Sequence, residues 1–342
     1  MCTAITFQAG DFYFGRTLDH DQAYGEEVTI TPRRYPFHFR HCEKISNHFA
    51  IIGMAHVENN VPLYYDATNE FGLCMAGLHF VGNAFYSTTR AAKKDNIASF
   101  ELIPWILSQC RTVIDALHLI KRLQIRNTPF SPSLPPAELH WLIADKTQAI
   151  VLEPTKSGLK VYHDPIGVLT NNPPFPVQMT LLNNYMSVSP RPPKNEFCAT
   201  LPLHAYSRGM GGIGLPGDLS SSSRFVRAAF TRCNAVSGKT EGENVNSVFH
   251  VLNSVTQTKG CCVSENDTYE ITLYTSCCNA TRGIYYYTTY NHLQVNAIDM
   301  HAETLNESTL YRFPLRTKPC IRYQNGRHTN EFRKSKDHPA MQ

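Results

Sequence analysis

Short apolar runs separated by turn residues fill the beginning, middle and end of the chain, and this pattern predicts strands. Cys2 to Phe7 and Phe12 to Arg16 are two such runs, with Ala9, Gly10 and Asp11 as the turn, so the chain is expected to open on a hairpin. Further strands are predicted at Phe49 to Met54, Leu63 to Asp66, Leu73 to Leu78, Leu139 to Ala144, Ala149 to Glu153, and Val161 to Leu169 broken by Asp164-Pro165. A late group covers Tyr269 to Thr275, Gly283 to Thr288 and Gln294 to Ile298.

Between residues 99 and 123 the spacing changes. Leu102, Ile103, Trp105 and Ile106, then Val113, Leu117 and Ile120, suit two consecutive helices. A second helical layer is predicted over Ser222 to Val236, where serines 220 to 223 offer an N-cap, and over Asn244 to Val255. Strands and helices alternating in blocks imply an α+β layered protein, with antiparallel sheets between helices. The stretch from Asn171 to Pro202 interrupts this order with Pro173, Pro174, Pro176, Pro190, Pro192, Pro193 and Pro202. It is too long for an ordinary loop, and is expected either to line a site or to reach a neighbouring subunit.

The 342 residues, 42% of them hydrophobic, are enough for a large core, and no linker or repeat divides them. One domain is expected over residues 2–320, followed by a basic, frayed end over 321–342. That end carries Arg322, Arg327, Arg333, Lys334 and Lys336 against Glu331 and Asp337, and holds part of the net charge of +4. Basic residues interleaved with aromatics inside a folded element are not seen, so no nucleic-acid partner is expected. No apolar run approaches the roughly twenty residues that span a bilayer.

Eleven cysteines would suit a disulfide framework in a secreted chain, but Met1 to Phe7 lacks the basic and apolar regions of a signal peptide. Reduced thiols in a cytoplasm are therefore expected. The sequons at Asn266, Asn279 and Asn306 carry little weight without secretion. Cys261-Cys262 and Cys277-Cys278 are adjacent pairs, not the spacing of a zinc site, and no metal or cofactor is expected.

Cys2 carries the candidate chemistry. Removal of Met1 ahead of a small residue would expose a thiol and a free α-amine on one residue. An amine of ordinary pKa about 7.7 to 8.0 can serve as base near neutral pH, so nucleophile and base coincide. Arg16 and Asp19 follow the turn and return beside Cys2, offering a cation that favours the thiolate and a carboxylate for the amine. On local sequence alone the same two residues read first as a surface ion pair at a hairpin end.

The segments MCTAITF, FGRTLD (14–19), NEFGLCMAGLHF (69–80), GVLTNNPPF (167–175), GLPGDLSSSSRFVRAAF (214–230), YTS, and GIYYYTTYNHLQVNAIDM (283–300) together resemble the choloylglycine hydrolase family. The likeness runs in order over residues 2 to 300. It implies a four-layer αββα sandwich of the N-terminal-nucleophile hydrolases, with two stacked antiparallel sheets, and a tetramer in which an extended loop near Met186 to Pro202 embraces a neighbour. The implied activity is hydrolysis of conjugated bile acids or, in the family's other branch, of penicillin V.

By the same resemblance Cys2 is the nucleophile, Arg16 and Asp19 the charged pair beside it, Asn171 the side-chain donor to the oxyanion and Arg224 the arginine completing the site. Without it, Asn171 reads as a turn residue and Arg224 as an exposed helix residue. Where the family's bile salt hydrolases carry asparagine and its penicillin V acylases tyrosine, this chain has His79. Its backbone N–H still serves the oxyanion, whereas its side chain settles neither substrate. NAIDM and GLPGD resemble the bile salt hydrolases more closely. Ser207 and Arg208 fall where the family meets the amino-acid end of the substrate, and the arginine could pair with taurine's sulfonate or glycine's carboxylate. Phe80 to Tyr86 and Leu139 to Trp141 are the expected walls of an apolar substrate cleft. A catalytically silent binding relative and a secreted disulfide protein are the readings from other classes.

Overall fold

The computed structural model describes residues 1–264 and 266–325. Both arms of the opening hairpin are longer than predicted. β1 (Cys2–Ala9) pairs antiparallel with β2 (Asp11–His20) from Cys2 opposite Leu18 to Ala9 opposite Asp11. Gly10 turns the chain at φ +70°, a conformation open to glycine at little cost. The extra length places Arg16 and Asp19 within a strand rather than beyond one.

The chain continues through β3 (Glu26–Thr31), β4 (Ile51–Glu58), β5 (Val61–Asn69), β6 (Cys74–His79) and β7 (Asp95–Ala98). The helices α1 (Leu102–Leu107) and α2 (Val113–Ile120) lie where the helical spacing put them, before β8 (Leu123–Arg126), β9 (Leu139–Ala144), β10 (Ala149–Thr155), β11 (Gly158–His163) and β12 (Val168–Leu169). Then come α3 (Phe175–Leu181), α4 (Ser221–Asn234), α5 (Glu241–Asn253), β13 (Ile271–Asn279), β14 (Ile284–Thr289), β15 (His292–Asp299) and β16 (Tyr311–Pro314). Ser220 caps α4 by accepting from the Ser223 N–H, and Thr240 with Glu243 forms a capping box at α5.

Two large antiparallel sheets result. One runs β12-β1-β2-β13-β14-β15, the other β11-β10-β9-β6-β5-β4-β3-β16. Alternation along the second sheet sorts its side chains: Leu78 and Leu142 join the core shared with the first sheet, α4 and α5, while Met75, Trp141 and Ile143 join a second core under α1 and α2. The layers are therefore α-β-β-α, as the resemblance implies. β1 is buried on both faces, and this explains why it reads as an apolar run without alternation.

The sequence patterns miss four strands, β3, β7, β8 and β16. The polar run EEVTIT of β3 is wholly buried, and its Glu27 is satisfied by Arg312 of β16 at 2.6 Å, a partner that local sequence does not reveal. The proline-rich stretch is not all irregular: α3 begins at Phe175, with Pro176 in the first turn, where a missing N–H costs nothing. The predicted frayed end falls largely on residues 326–342, outside the described residues. Among the described residues no helix is long and apolar enough to cross a membrane.

Candidate active site

Cys2 and Ala4 share one face of β1, and Arg16 stands opposite Ala4, so Arg16 is the diagonal neighbour of Cys2 on the face toward the second sheet. Its guanidinium enters the gap where β5 and β6 part. Nη1 donates to the carbonyls of Tyr65 at 2.9 Å and Gly77 at 3.0 Å, and Nε donates to Thr17 O at 3.2 Å. Nη2 is buried without a hydrogen-bond partner among the described residues. Asp66 lies 4.0 Å from Nε, and this carboxylate accepts from the Tyr274 and Tyr285 hydroxyls, each at 2.7 Å, and from Ser276 at 3.3 Å. Burial works against the Arg16 charge, yet Tyr274, the Cys2 thiol and Asp66 hold its pKa above the usual arginine value.

Thr3, Thr17 and Asp19 occupy the opposite face, toward α4. Arg224, in the first turn of α4, donates through Nη1 to Cys2 O at 2.6 Å and Thr3 Oγ1 at 2.7 Å, and through Nη2 to Asn171 Oδ1 at 2.7 Å. Its Nη1 is 3.8 Å from Asp19 Oδ2, with both side chains fully buried. Asp19 also accepts from Thr272 at 2.6 Å and Thr17 at 3.2 Å. Burial raises its pKa, opposed by Arg224, the chain's amino terminus and Thr272.

Asn171 follows β12, the strand beside β1. Its Oδ1 accepts the Cys2 N–H at 2.8 Å as well as Arg224, and its Nδ2 donates to His79 O at 2.8 Å. Two donors on one end and an acceptor on the other fix which way the amide points. The backbone of Asn171 is itself tied to α4, its N–H donating to Ser221 Oγ at 2.8 Å.

His79 ends β6 opposite Leu139. Phe80 N–H bonds Glu138 O at 2.8 Å, and the Leu139 N–H goes to the Tyr86 hydroxyl at 2.8 Å. His79 and Leu139 are therefore a non-hydrogen-bonded pair, whose backbone groups turn away from each other. β5 pairs with β6 only as far as Asp66 opposite Ala76, so the His79 N–H looks into the gap beside Asn171 Nδ2. Burial above all, then the neighbouring amino terminus, His20 and Arg16, pushes the His79 pKa down to about 3. The ring is therefore neutral at ordinary pH.

A second layer holds these groups, and the sequence does not announce it. Gln178 of α3 donates to Asn171 O at 2.6 Å and Pro173 O at 2.7 Å. His140 bridges Glu153 at 3.1 Å and Thr170 O at 2.8 Å, and stacks on Phe80 with ring centroids 4.4 Å apart. The structure brings together Cys2, Arg16, Asp19, His79, Asn171 and Arg224, but not the expected substrate contacts. Phe80 and Trp141 are fully buried in packed layers, so neither lines an open wall. Ser207 and Arg208 lie on an exposed stretch, with no hydrogen bond or ion pair to the six among the described residues. Residues missed by the sequence include Thr272, which faces Asp19 across the β2–β13 pairing, and Asp66. Their separations along the chain leave no local signal.

Met1 is present in this chain. Its ammonium donates to Asp19 O at 2.6 Å and meets the Glu270 carboxylate, while Asp19 N–H bonds Met1 O at 2.8 Å. Among the described residues no cluster of three or more His, Cys, Asp or Glu side chains could hold a metal ion. Two surface cavities, of about 430 and 530 Å³, are lined by none of the six.

The site is thus a thiol next to the chain start with a guanidinium, a carboxylate and a fixed amide around it, and the chain as a whole is similar to known proteins. A family model described as linear amide C–N hydrolases, choloylglycine hydrolase family, matches residues 2–313. A bile salt hydrolase/transferase of Lactiplantibacillus plantarum is 51% identical over 318 residues, 93% of this chain and 98% of that one. The crystal structure of the C2A mutant of the conjugated bile acid hydrolase from Clostridium perfringens superimposes with a TM-score of 0.89 at 31% identity, covering 95% of this chain and all of that one. The penicillin V acylase of Agrobacterium tumefaciens shares the fold, with a TM-score of 0.73 at 19% identity over 91% of this chain and 90% of its own. The chain belongs to the choloylglycine hydrolase family of linear amide C–N hydrolases.

Proposed function

We propose that the protein hydrolyses the amide bond of glycine- or taurine-conjugated bile acids, with Cys2 as nucleophile once Met1 is removed. The observation that carries this reading is the shared hold of Arg224 and Asn171 on the Cys2 backbone, within a chain half identical to a bile salt hydrolase/transferase.

In the mature chain the Cys2 nitrogen becomes an α-amine facing Asn171 Oδ1. The amine takes the thiol proton, and the sulfur attacks the amide carbon. The carbonyl π electrons move onto oxygen, where the His79 N–H and the second N–H of Asn171 Nδ2 receive the charge. Arg16 Nη2, unpartnered among the described residues and on the Cys2 face, favours the thiolate. The α-ammonium returns its proton to the leaving nitrogen, the C–N bond breaks, and glycine or taurine departs from a thioester. Water, giving its proton to the same amine, attacks that thioester; the carbon–sulfur bond breaks, the ammonium returns the proton to the departing sulfur, and the steroid acid leaves.

The exposed Val81 and Tyr24 are the apolar contacts this reading assigns to the steroid, since the residue 80–83 loop docks through Val81 O on Asn172 at 2.8 Å, next to Asn171, and Tyr24 packs on His20, whose ring meets that of His79. Arg208, exposed and without an acidic partner among the described residues, remains the cation proposed for the sulfonate or carboxylate, with the lean toward taurine. Residues 2–320 are taken as one domain acting as a homotetramer. The stretch from Met186 to Pro202 exposes Met186, Phe197 and Leu201, which suits burial against another subunit. Eleven unpaired thiols suit a reducing cytoplasm.

The test is release of taurine and glycine from taurocholate and glycocholate beside release from phenoxymethylpenicillin, with the intact mass read on the same preparation. Bile-salt turnover by a chain lighter by one methionine, lost in Cys2→Ala, is expected. Turnover by a chain that keeps Met1 would end the mechanism. Faster penicillin turnover would move the chain to the other branch.

A further inference from the structure

Glu270 is a charged group beside the amino terminus that the mechanism above leaves without a task. It sits just before β13, two residues from the Thr272 that bonds Asp19. Its side chain is only 16% exposed. The carboxylate meets the Met1 ammonium, and its other oxygen lies 4.0 Å from the Cys262 thiol; among the described residues it has no further hydrogen bond or ion pair. A largely buried carboxylate thus has as its cationic partner a residue that is to be removed. When Met1 leaves, that carboxylate, the Asp19 carbonyl and the Asp19 N–H line the space Met1 occupied, and the new α-amine lies at its inner end. One residue step, about 3.8 Å, separates the old ammonium from the new.

We propose that Glu270 is a positioning residue of the mature enzyme: its carboxylate faces the Cys2 α-amine across the slot vacated by Met1, and sets the pH at which that amine becomes a free base. This rests on Cys2 being the nucleophile. The other groups around the amine are already engaged. On β2, Asp19 is held by Arg224, Thr17 and Thr272, Arg16 is tied through Nη1 to Tyr65 and Gly77 and paired with Asp66 while its Nη2 serves the thiol, and Asp21 is bound by Thr268 and His20. Arg224 of α4 is spent on Cys2, Thr3 and Asn171, His79 of β6 is neutral, and the Cys262 thiol is turned to the other oxygen of Glu270. Among the described residues around the amine, Glu270 is the anion without such a commitment, so deleting its charge destabilises the ammonium and lowers the pH at which the amine deprotonates.

The experiment compares wild type, E270Q and E270D, each verified by intact mass to begin at Cys2. Two pH profiles are read: kcat/KM for taurocholate, and the rate of iodoacetamide alkylation of Cys2 followed on the N-terminal peptide. In E270Q the acid limb of both profiles is expected about one pH unit lower, with KM unchanged within about twofold, and E270D should restore the wild-type limb. Superimposable limbs in wild type and E270Q would overturn the proposal, as would an E270D limb displaced as far as that of E270Q. A wild type that alkylates with a Glu270-dependent limb yet turns over no amide would sink the bile-acid reading while leaving the Glu270 assignment standing.

Discussion

Arg224 Nη2 lies 2.7 Å from Asn171 Oδ1, and this bond ties the first turn of α4 to the segment after β12 directly over the start of β1. The same guanidinium holds the Cys2 carbonyl, so one side chain sets both the nucleophile and the amide that would receive the oxyanion. Replacing it by alanine leaves Asp19 buried without its cation, a loss of about 3 to 5 kcal/mol. Arg224→Ala should show a much lower Tm. Arg224→Lys, which keeps the charge but not the two-pronged geometry, should fold better and still lose most of its amide turnover.

Asn171→Ala tests the oxyanion donor. If Nδ2 stabilises the developing charge, kcat should fall about 10²- to 10³-fold, and KM should move far less. A loss confined to KM would show instead that Asn171 only binds substrate.

Asp66 is the buried counter-charge of Arg16 and accepts three hydroxyl hydrogen bonds. Asp66→Asn removes the charge while keeping the shape, leaving a buried guanidinium uncompensated. A drop of about 3 to 5 kcal/mol in denaturant unfolding is expected. An unchanged midpoint would mean that Arg16 draws its compensation from carbonyls alone.

His79 has a pKa near 3 in the fold against about 6.5 in an unfolded chain. Between those values the unfolded state binds more protons, so this contribution to stability is complete above about pH 6.5 and is lost as pH falls toward 3. His79→Asn should therefore lose less Tm than wild type between pH 6.5 and pH 4. Because the ring is neutral above that range, the substitution should leave the shape of the activity profile unchanged from pH 6 upward.

Gly53 lies in β4 next to the irregular pairing with β5 after Met54, where an added Cβ would collide with the Asp66 carbonyl and with Ala67. These are backbone and short side-chain atoms of a packed strand and cannot swing aside. Gly53→Ala should cost about 1 to 3 kcal/mol, read as a lower urea midpoint. It should also disturb Arg16 through Asp66.

Local pattern is enough to predict the opening hairpin, the helix pairs 102–120 and 221–253, and most strands of both sheets, because each of those runs carries its own turns, caps and apolar spacing. Cys2 stands out as a candidate because a thiol and an α-amine would share one residue, but the family resemblance and not local pattern gives it weight. What only the tertiary structure decided is which polar residues are spent on which partner. β3 reads as polar until Arg312 arrives from β16, and Trp141 reads as a cleft wall until the alternation of β9 turns it into the second core. Asp66, Thr272 and Glu270 lie between about 60 and 270 residues from Cys2, and sheet register alone brings them beside it. Charge at this site is balanced by contacts across that distance, and a contact between distant strands leaves no trace in the local order of residues.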